Sequence, residues 1–232
     1  MGGMSRTENV ATDTGDARIT WYPGTKAWAV LALGHGAGGG IEARDLQALA
    51  GTLPAHGVTV ALVEQPWRVA GKKVAPAPKT LDTGWRGLWP ALAKPGLPVI
   101  AGGRSAGARV ACRTGKELGA AAVLALSFPL HPPGKPEKSR ADELLSTGLP
   151  TLVVQGGNDA FGKPEEFPGM KRDRAQRVGA RVVAGDGWEY GLVEVPYGDH
   201  SFAVAKRAPV TPEQTLALIA GEVTTWAASL RS

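Results

Sequence analysis

The sequence predicts one α/β domain, a mostly parallel central sheet flanked by helices, and three observations predict it. Apolar runs such as AVLALG (29–34), VTVALVE (58–64), PVIAGG (98–103) and TLVVQGG (151–157) lack a polar face. Strands of that kind are buried on both sides. Segments with helical apolar spacing separate them, which is the alternation of a parallel sheet covered by helices. Glycine-rich loops follow the strands, where open parallel sheets place their ligands.

The elements follow in order. Residues 1–16, MGGMSRTENVATDTGD, are polar and small and read as a flexible N-terminal tail, with the domain at 17–232. The tail lacks the apolar core of a signal peptide. Arg6 stands where a myristoylation motif needs Ser or Thr. ARITWYP (17–23) reads as an edge strand and KAWAVLALG (26–34) as a buried one. IEARDLQALAGTLPAHG (41–57) has helical spacing and closes near Gly57. VTVALVE (58–64) is the next strand. Prolines and glycine break QPWRVAGKKVAPAPKT (65–80), which reads as a long loop. LDTGWRGLWPALAK (81–94) reads as a helix interrupted at Pro90. LPVIAGG is a strand, SAGARVACRTGKELG a helix, and AAVLALSFP, PTLVVQGG and GLVEVPYG are strands. The last helix opens at Thr211 with Pro212 at its first position and Gln214 at its third, a capping box.

Composition narrows the function. The chain has 232 residues, 43% of them hydrophobic, enough for a packed core. The single cysteine, Cys112, forms no internal disulfide, and a cytoplasmic location is expected. No run is long enough to span a membrane. The net charge is +5, with small basic clusters at Lys72-Lys73 and in KRDRAQR (171–177). Without interleaved aromatics these read as solvated surface, so neither nucleic acid nor membrane is an expected partner.

The chemistry begins at Gly103-Arg104-Ser105-Ala106-Gly107. This is G-x-S-x-G between a strand and an Ala-rich helix. A serine there sits on a tight strand-to-helix turn, at a helix N-terminus whose N–H groups face an oxyanion. Its bland reading is an ordinary helix N-cap. A nucleophilic serine needs a base and an orienter. Of four histidines, His200 in VPYGDHSF alone follows both Ser105 and a plausible acid. His35 belongs to a glycine loop, His56 sits at a helix end, and His131 lies in the proline-rich LHPPGKP. The acid expected is Asp159, just past the strand TLVVQ. Asp199, Asp186 and Glu194 are weaker rivals.

The loop GHGAGGG has two readings. Gly34, Gly36 and Gly39 satisfy G-x-G-x-x-G after a strand, with Glu64 ending the next strand, an imitation of a dinucleotide fingerprint. The rival is a His-Gly loop whose backbone N–H at Ala37, or Gly36, joins that of Ala106 in holding an oxyanion. The second reading unites four strand-end loops in one order, Ser…Asp…His, and the first explains one loop.

LGHGAGGG, GGRSAGARVA, LSFPLHPPGKPEKSRADEL, PTLVVQGGNDAFG and GDHSF together resemble the α/β-hydrolase superfamily. More closely they resemble its dienelactone-hydrolase-like group, which includes testis-expressed 30-type proteins and a subunit of a chromatin acetyltransferase complex. The resemblance runs from about residue 17 to the C-terminus. It implies the hydrolase fold and carries Ser105, Asp159 and His200 over as a catalytic triad. It also admits a catalytically silent interaction module. Residues 128–148, where many such hydrolases insert a helical lid, are too few for a lid domain. Lys135, Lys138 and Arg140 in that segment read as surface. Trp85 and Trp89, at helical spacing, read as packing, as does Cys112. The expectation is a serine hydrolase of carboxylic esters, thioesters or related acyl substrates. Its partner is a small-molecule acyl compound, with no metal and no organic cofactor. Oligomeric state has no signature here.

Overall fold

The apolar runs become strands because both of their faces have helices to pack against. The computed structural model describes residues 4–169, 180–183 and 189–231. Among them the strands are β1 (Arg6–Thr12), β2 (Gly15–Tyr22), β3 (Ala29–Gly34), β4 (Val58–Glu64), β5 (Val99–Arg104), β6 (Ala122–Leu126), β7 (Thr151–Gly156), β8 (Ala180–Val183) and β9 (Glu189–Val195). The helices are α1 (Arg44–Thr52), α2 (Pro66–Val69), α3 (Pro78–Ala93), α4 (Ala106–Thr114), α5 (Ala141–Leu145) and α6 (Pro212–Ser229). All nine strands form one sheet in the order β1-β2-β4-β3-β5-β6-β7-β9-β8. The six from β4 to β9 in that order run parallel, and β1, β2 and β8 pair antiparallel.

The core has two layers. Val30 and Ala32 of β3 face one side, with Trp85, Leu88 and Leu92 of α3 and Val110 of α4. Leu31 and Leu33 face the other, with Leu46 and Leu49 of α1 and Ile219 and Val223 of α6. This is the period-2 alternation of a strand buried twice over. Each such Leu or Val contributes about 1.5–3 kcal/mol by leaving water. Because α1 follows β3 to one face and α4 follows β5 to the other, the two loops part at the carboxyl ends of these neighbours. That is the topological switch point of the sheet.

Several expectations need correction. Residues 1–16 are not a flexible tail throughout. Arg6–Thr12 pair residue for residue with Gly15–Trp21, and Trp21 Nε1 donates to Glu8 at 3.1 Å. β1 is polar because it is the sheet's edge, and β2 is therefore an inner strand. The domain extends back to Arg6. The segment 65–80 is not all loop, since α2 lies in it and α3 begins at Pro78. α3 also runs through Pro90 without a break. Pro90 faces solvent near the helix end, while Trp85, Leu88, Trp89 and Leu92 anchor the buried side. The helix expected over 41–57 starts at Arg44 and tightens into a 3-10 turn at Leu53–His56 before Gly57. β8 escaped notice in the sequence. KRDRAQR and Asp186 lie outside the described residues. The capping box of α6 is as expected: Gln214 N donates to Thr211 Oγ1 at 3.2 Å, and Thr211 N to Gln214 Oε1 at 2.8 Å.

Candidate active site

The glycines come first, because they let three backbones meet. A Cβ on Gly103 would lie 2.5 Å from the Gly34 carbonyl oxygen, and one on Gly107 would strike the same atom. Only glycine lets β3, β5 and the first turn of α4 approach so closely. Between the two, Ser105 takes φ 52° and ψ −111°, a left-handed conformation rare for a side-chain-bearing residue. It is held there by its N–H, which donates to Leu126 O at 2.9 Å, and by its carbonyl, which accepts from Arg109 N at 3.2 Å. The strain presents the hydroxyl at the end of the sheet.

A chain of hydrogen bonds leads from that hydroxyl. Ser105 Oγ and His200 Nε2 are 2.9 Å apart. His200 Nδ1 lies 2.8 Å from Asp159 Oδ2 and 3.0 Å from Oδ1. The carboxylate accepts only, so Nδ1 carries the proton and Nε2 is left to accept from the serine. Asp159 is 1% exposed. It also accepts from Gln155 Nε2 and from Phe161 N, both at 2.8 Å. The Phe161 ring lies 4.2 Å from the imidazole. Arg104 Nη2 donates to the His200 carbonyl at 2.6 Å, and its guanidinium pairs with the buried Asp45 at 3.1 Å. That contact is too bent for a hydrogen bond. Burial pushes the Asp45 carboxyl up, and Arg104 opposes the shift.

The glycine loop after β3 lies against the serine, where a Cβ on Gly36 would be 3.4 Å from Ser105 Cβ. His35 sets the loop. Its Nδ1–H donates to Gly36 O at 2.8 Å, and Nε2 accepts from Gln65 N–H at 3.3 Å. Trp67 packs on the ring, with centroids 5.3 Å apart. Burial lowers the His35 pKa, in keeping with the neutral ring that the accepting bond at Nε2 requires. A peptide's C=O and N–H point oppositely, so fixing the Gly36 carbonyl also fixes the Ala37 N–H. Ala106 opens α4, and its N–H has no acceptor within the helix. A dinucleotide loop would lead straight into a helix, but α1 starts only at Arg44.

A family model of the alpha/beta hydrolase domain matches residues 27–228. The chain belongs to the α/β hydrolase family. Among solved structures, this hydrolase domain is similar to a Xanthomonas campestris protein described as an a/b serine hydrolase without lid. Identity is 16% and the TM-score 0.68, covering 99% of this chain and 96% of that one. It is similar to the dienelactone hydrolase of Anabaena variabilis at 17% identity and TM-score 0.68, covering 97% of both chains. Est1E from Butyrivibrio proteoclasticus, solved also with ferulic acid bound, matches at 14% identity and TM-score 0.66, covering 96% and 99%. At such identities the likeness is one of fold. No curated protein sequence matches the chain.

The fold of this α/β hydrolase brings Ser105, His200 and Asp159 together, with Ala106 opening α4 next to the serine and Gly36 against the serine's Cβ. The rivals fall elsewhere. Asp199 Oδ1 accepts from Ser201 and Ala203 N–H and shapes its own turn. Glu194 lies within β9, and burial pushes its carboxyl up. His131 is buried, with Nε2 3.2 Å from Glu166. Trp85 and Trp89 are core, and burial pushes the Cys112 thiol up to about 12. Residues 128–148 hold one 3-10 turn and α5, which Glu143 ties to Arg109 and Arg113 of α4, and no lid domain. His35, Arg104, Gln155 and Phe161 were not assigned from sequence: His35, Arg104 and Phe161 meet Gln65 or His200 far along the chain, and Gln155 reaches Asp159 only through the turn that follows β7. Among the described residues no three His, Cys, Asp or Glu side chains group as metal ligands. No helix there is long and apolar enough to cross a membrane. A cleft of about 250 Å³ lined by Gly40, Arg104, Ser201 and Phe202 flanks the His200 loop. Another cleft, about 730 Å³, is lined by the start of β7, by β9 and by α6, away from the serine.

Proposed function

We propose that the protein is a serine hydrolase of carboxylic esters, thioesters or related acyl compounds, working through an acyl-enzyme. The observation that carries this reading is the 2.9 Å contact between Ser105 Oγ and His200 Nε2, with buried Asp159 on the far ring nitrogen. Ser105 Oγ attacks the carbonyl carbon while His200 Nε2 takes its proton. The tetrahedral oxyanion is held by the N–H groups of Ala37 and Ala106. His200 then gives the proton to the leaving group, and the C–O or C–S bond breaks. Asp159 fixes the tautomer and stabilises the imidazolium. Water, deprotonated by His200, attacks the acyl-serine and frees the acid. No metal or organic cofactor enters. A small acyl substrate as partner and a cytoplasmic setting complete the reading.

The test is labelling with a fluorophosphonate, read by intact mass. A single adduct is expected on wild type and none on Ser105→Ala, whose melting temperature stays that of wild type. Turnover of a responsive ester should fall by roughly 10⁵- to 10⁶-fold in the variant. A folded wild type that takes no adduct would sink the reading. It would favour a catalytically silent interaction module built on the same fold, and a search for bound partners.

A further inference from the structure

Gln155 is the penultimate residue of β7, four residues before Asp159, with no exposed surface. Its amide nitrogen has two hydrogens and both are used. One meets Asp159 Oδ2 at 2.8 Å, and the other the Gly162 carbonyl oxygen at 2.8 Å. Flipped, the amide oxygen would face a carboxylate and a carbonyl, so the two acceptors dictate the orientation. That orientation leaves Oε1 buried with no donor among the described residues. Buried amides normally satisfy both ends. Here one end goes without, so that the other can deliver two bonds.

Both bonds bear on His200. Asp159 Oδ2 is the same atom that receives His200 Nδ1–H at 2.8 Å. The carboxylate side chain is fully buried, and N–H donors from the protein satisfy it. Gly162 closes the loop that carries Phe161. Phe161 N donates to Asp159 Oδ1, its carbonyl accepts from His131 N at 3.0 Å, and its ring lies against the imidazole.

We infer that Gln155 is a positioning residue, aiming the Asp159 carboxylate at His200 and closing the 156–162 loop that lays Phe161 on the imidazole. The inference rests on the serine-hydrolase reading, and its test separates the two. Gln155→Met keeps the volume and removes both donors. Fluorophosphonate labelling of Ser105 is expected to slow about 10- to 100-fold in the folded variant. In an Asp159→Asn background the same change should add far less, because its effect passes through Asp159. Equal slowing in both backgrounds, or a wild-type rate in Gln155→Met, overturns the inference. Should the Met variant not fold, Gln155→Glu presents the same shape with an acceptor towards Asp159. Slow labelling is again expected, and a wild-type rate again overturns the inference. If wild type takes no label at all, the reaction reading fails alone. The downfield proton resonance of His200 Nδ1–H then decides. Loss in Gln155→Met supports the positioning role, and an unchanged resonance overturns it.

Discussion

At the scale of single residues, His35 is bound to the fold as a neutral ring. Nε2 accepts from Gln65 N–H, so a proton there would set donor against donor in a buried place. Burial is the chief cause of its lowered pKa, with the positive charge of Arg68 adding to it. The Gly36 bond and the Glu64 and Glu42 carboxylates act the other way. An unfolded histidine titrates near 6.5. Below about pH 6.5 the unfolded chain therefore binds a proton that the native state refuses, and stability falls as pH drops. The contribution is fully present above that pH. Melting temperatures from pH 7.5 to 5 should fall more steeply for wild type than for His35→Gln, and parallel curves would refute this account.

At the scale of elements, the G-x-S-x-G stretch works as a joint. Gly107 sits where α4 leaves the elbow, and its space is filled by the backbone of Gly34 and His35. Backbone cannot swing aside as a flexible side chain can. Gly107→Ala should cost roughly 1–3 kcal/mol by forcing β3 and α4 apart. It should also slow Ser105 labelling, because the elbow and the Gly36–Ala37 peptide separate with them. Urea denaturation beside labelling checks both, and a variant as stable and as reactive as wild type would contradict the packing argument. Periodicity made most elements readable, including β4, whose bounds agree with the sequence reading residue for residue. α3 was misjudged at Pro90 because one lost hydrogen bond near a helix end is outweighed by the burial of Trp85, Leu88, Trp89 and Leu92.

At the scale of the whole molecule, the sheet's order decides where the site lies. β3 and β5 are neighbours whose following loops go to opposite faces, which opens the crevice holding Ser105 and the glycine loop. The same order leaves β2 needing a partner on its outer side, and β1 fills that place. Deleting residues 1–12 should lower the melting temperature and promote association through the bared edge of β2. Light scattering and thermal unfolding test this, and a deletion without effect would restore the flexible tail. β1 was missed because an edge strand can be polar on both faces. Its stabilisation comes from backbone pairing, which composition does not reveal.

Taken by itself, the sequence determined the α/β class, the strand-end position of the loops, and Ser105, Asp159 and His200 as candidates. Those signals are local: apolar runs, glycines two residues either side of a serine, polar residues just past strands. The tertiary structure alone decided what surrounds them. Gln155 shares an acceptor with His200, and His35 holds the Gly36 carbonyl of the loop that lies against Ser105. Arg104 holds the His200 carbonyl, 96 residues away in sequence. Contacts between distant segments depend on strand order and register, and these are set by the packing of the whole sheet.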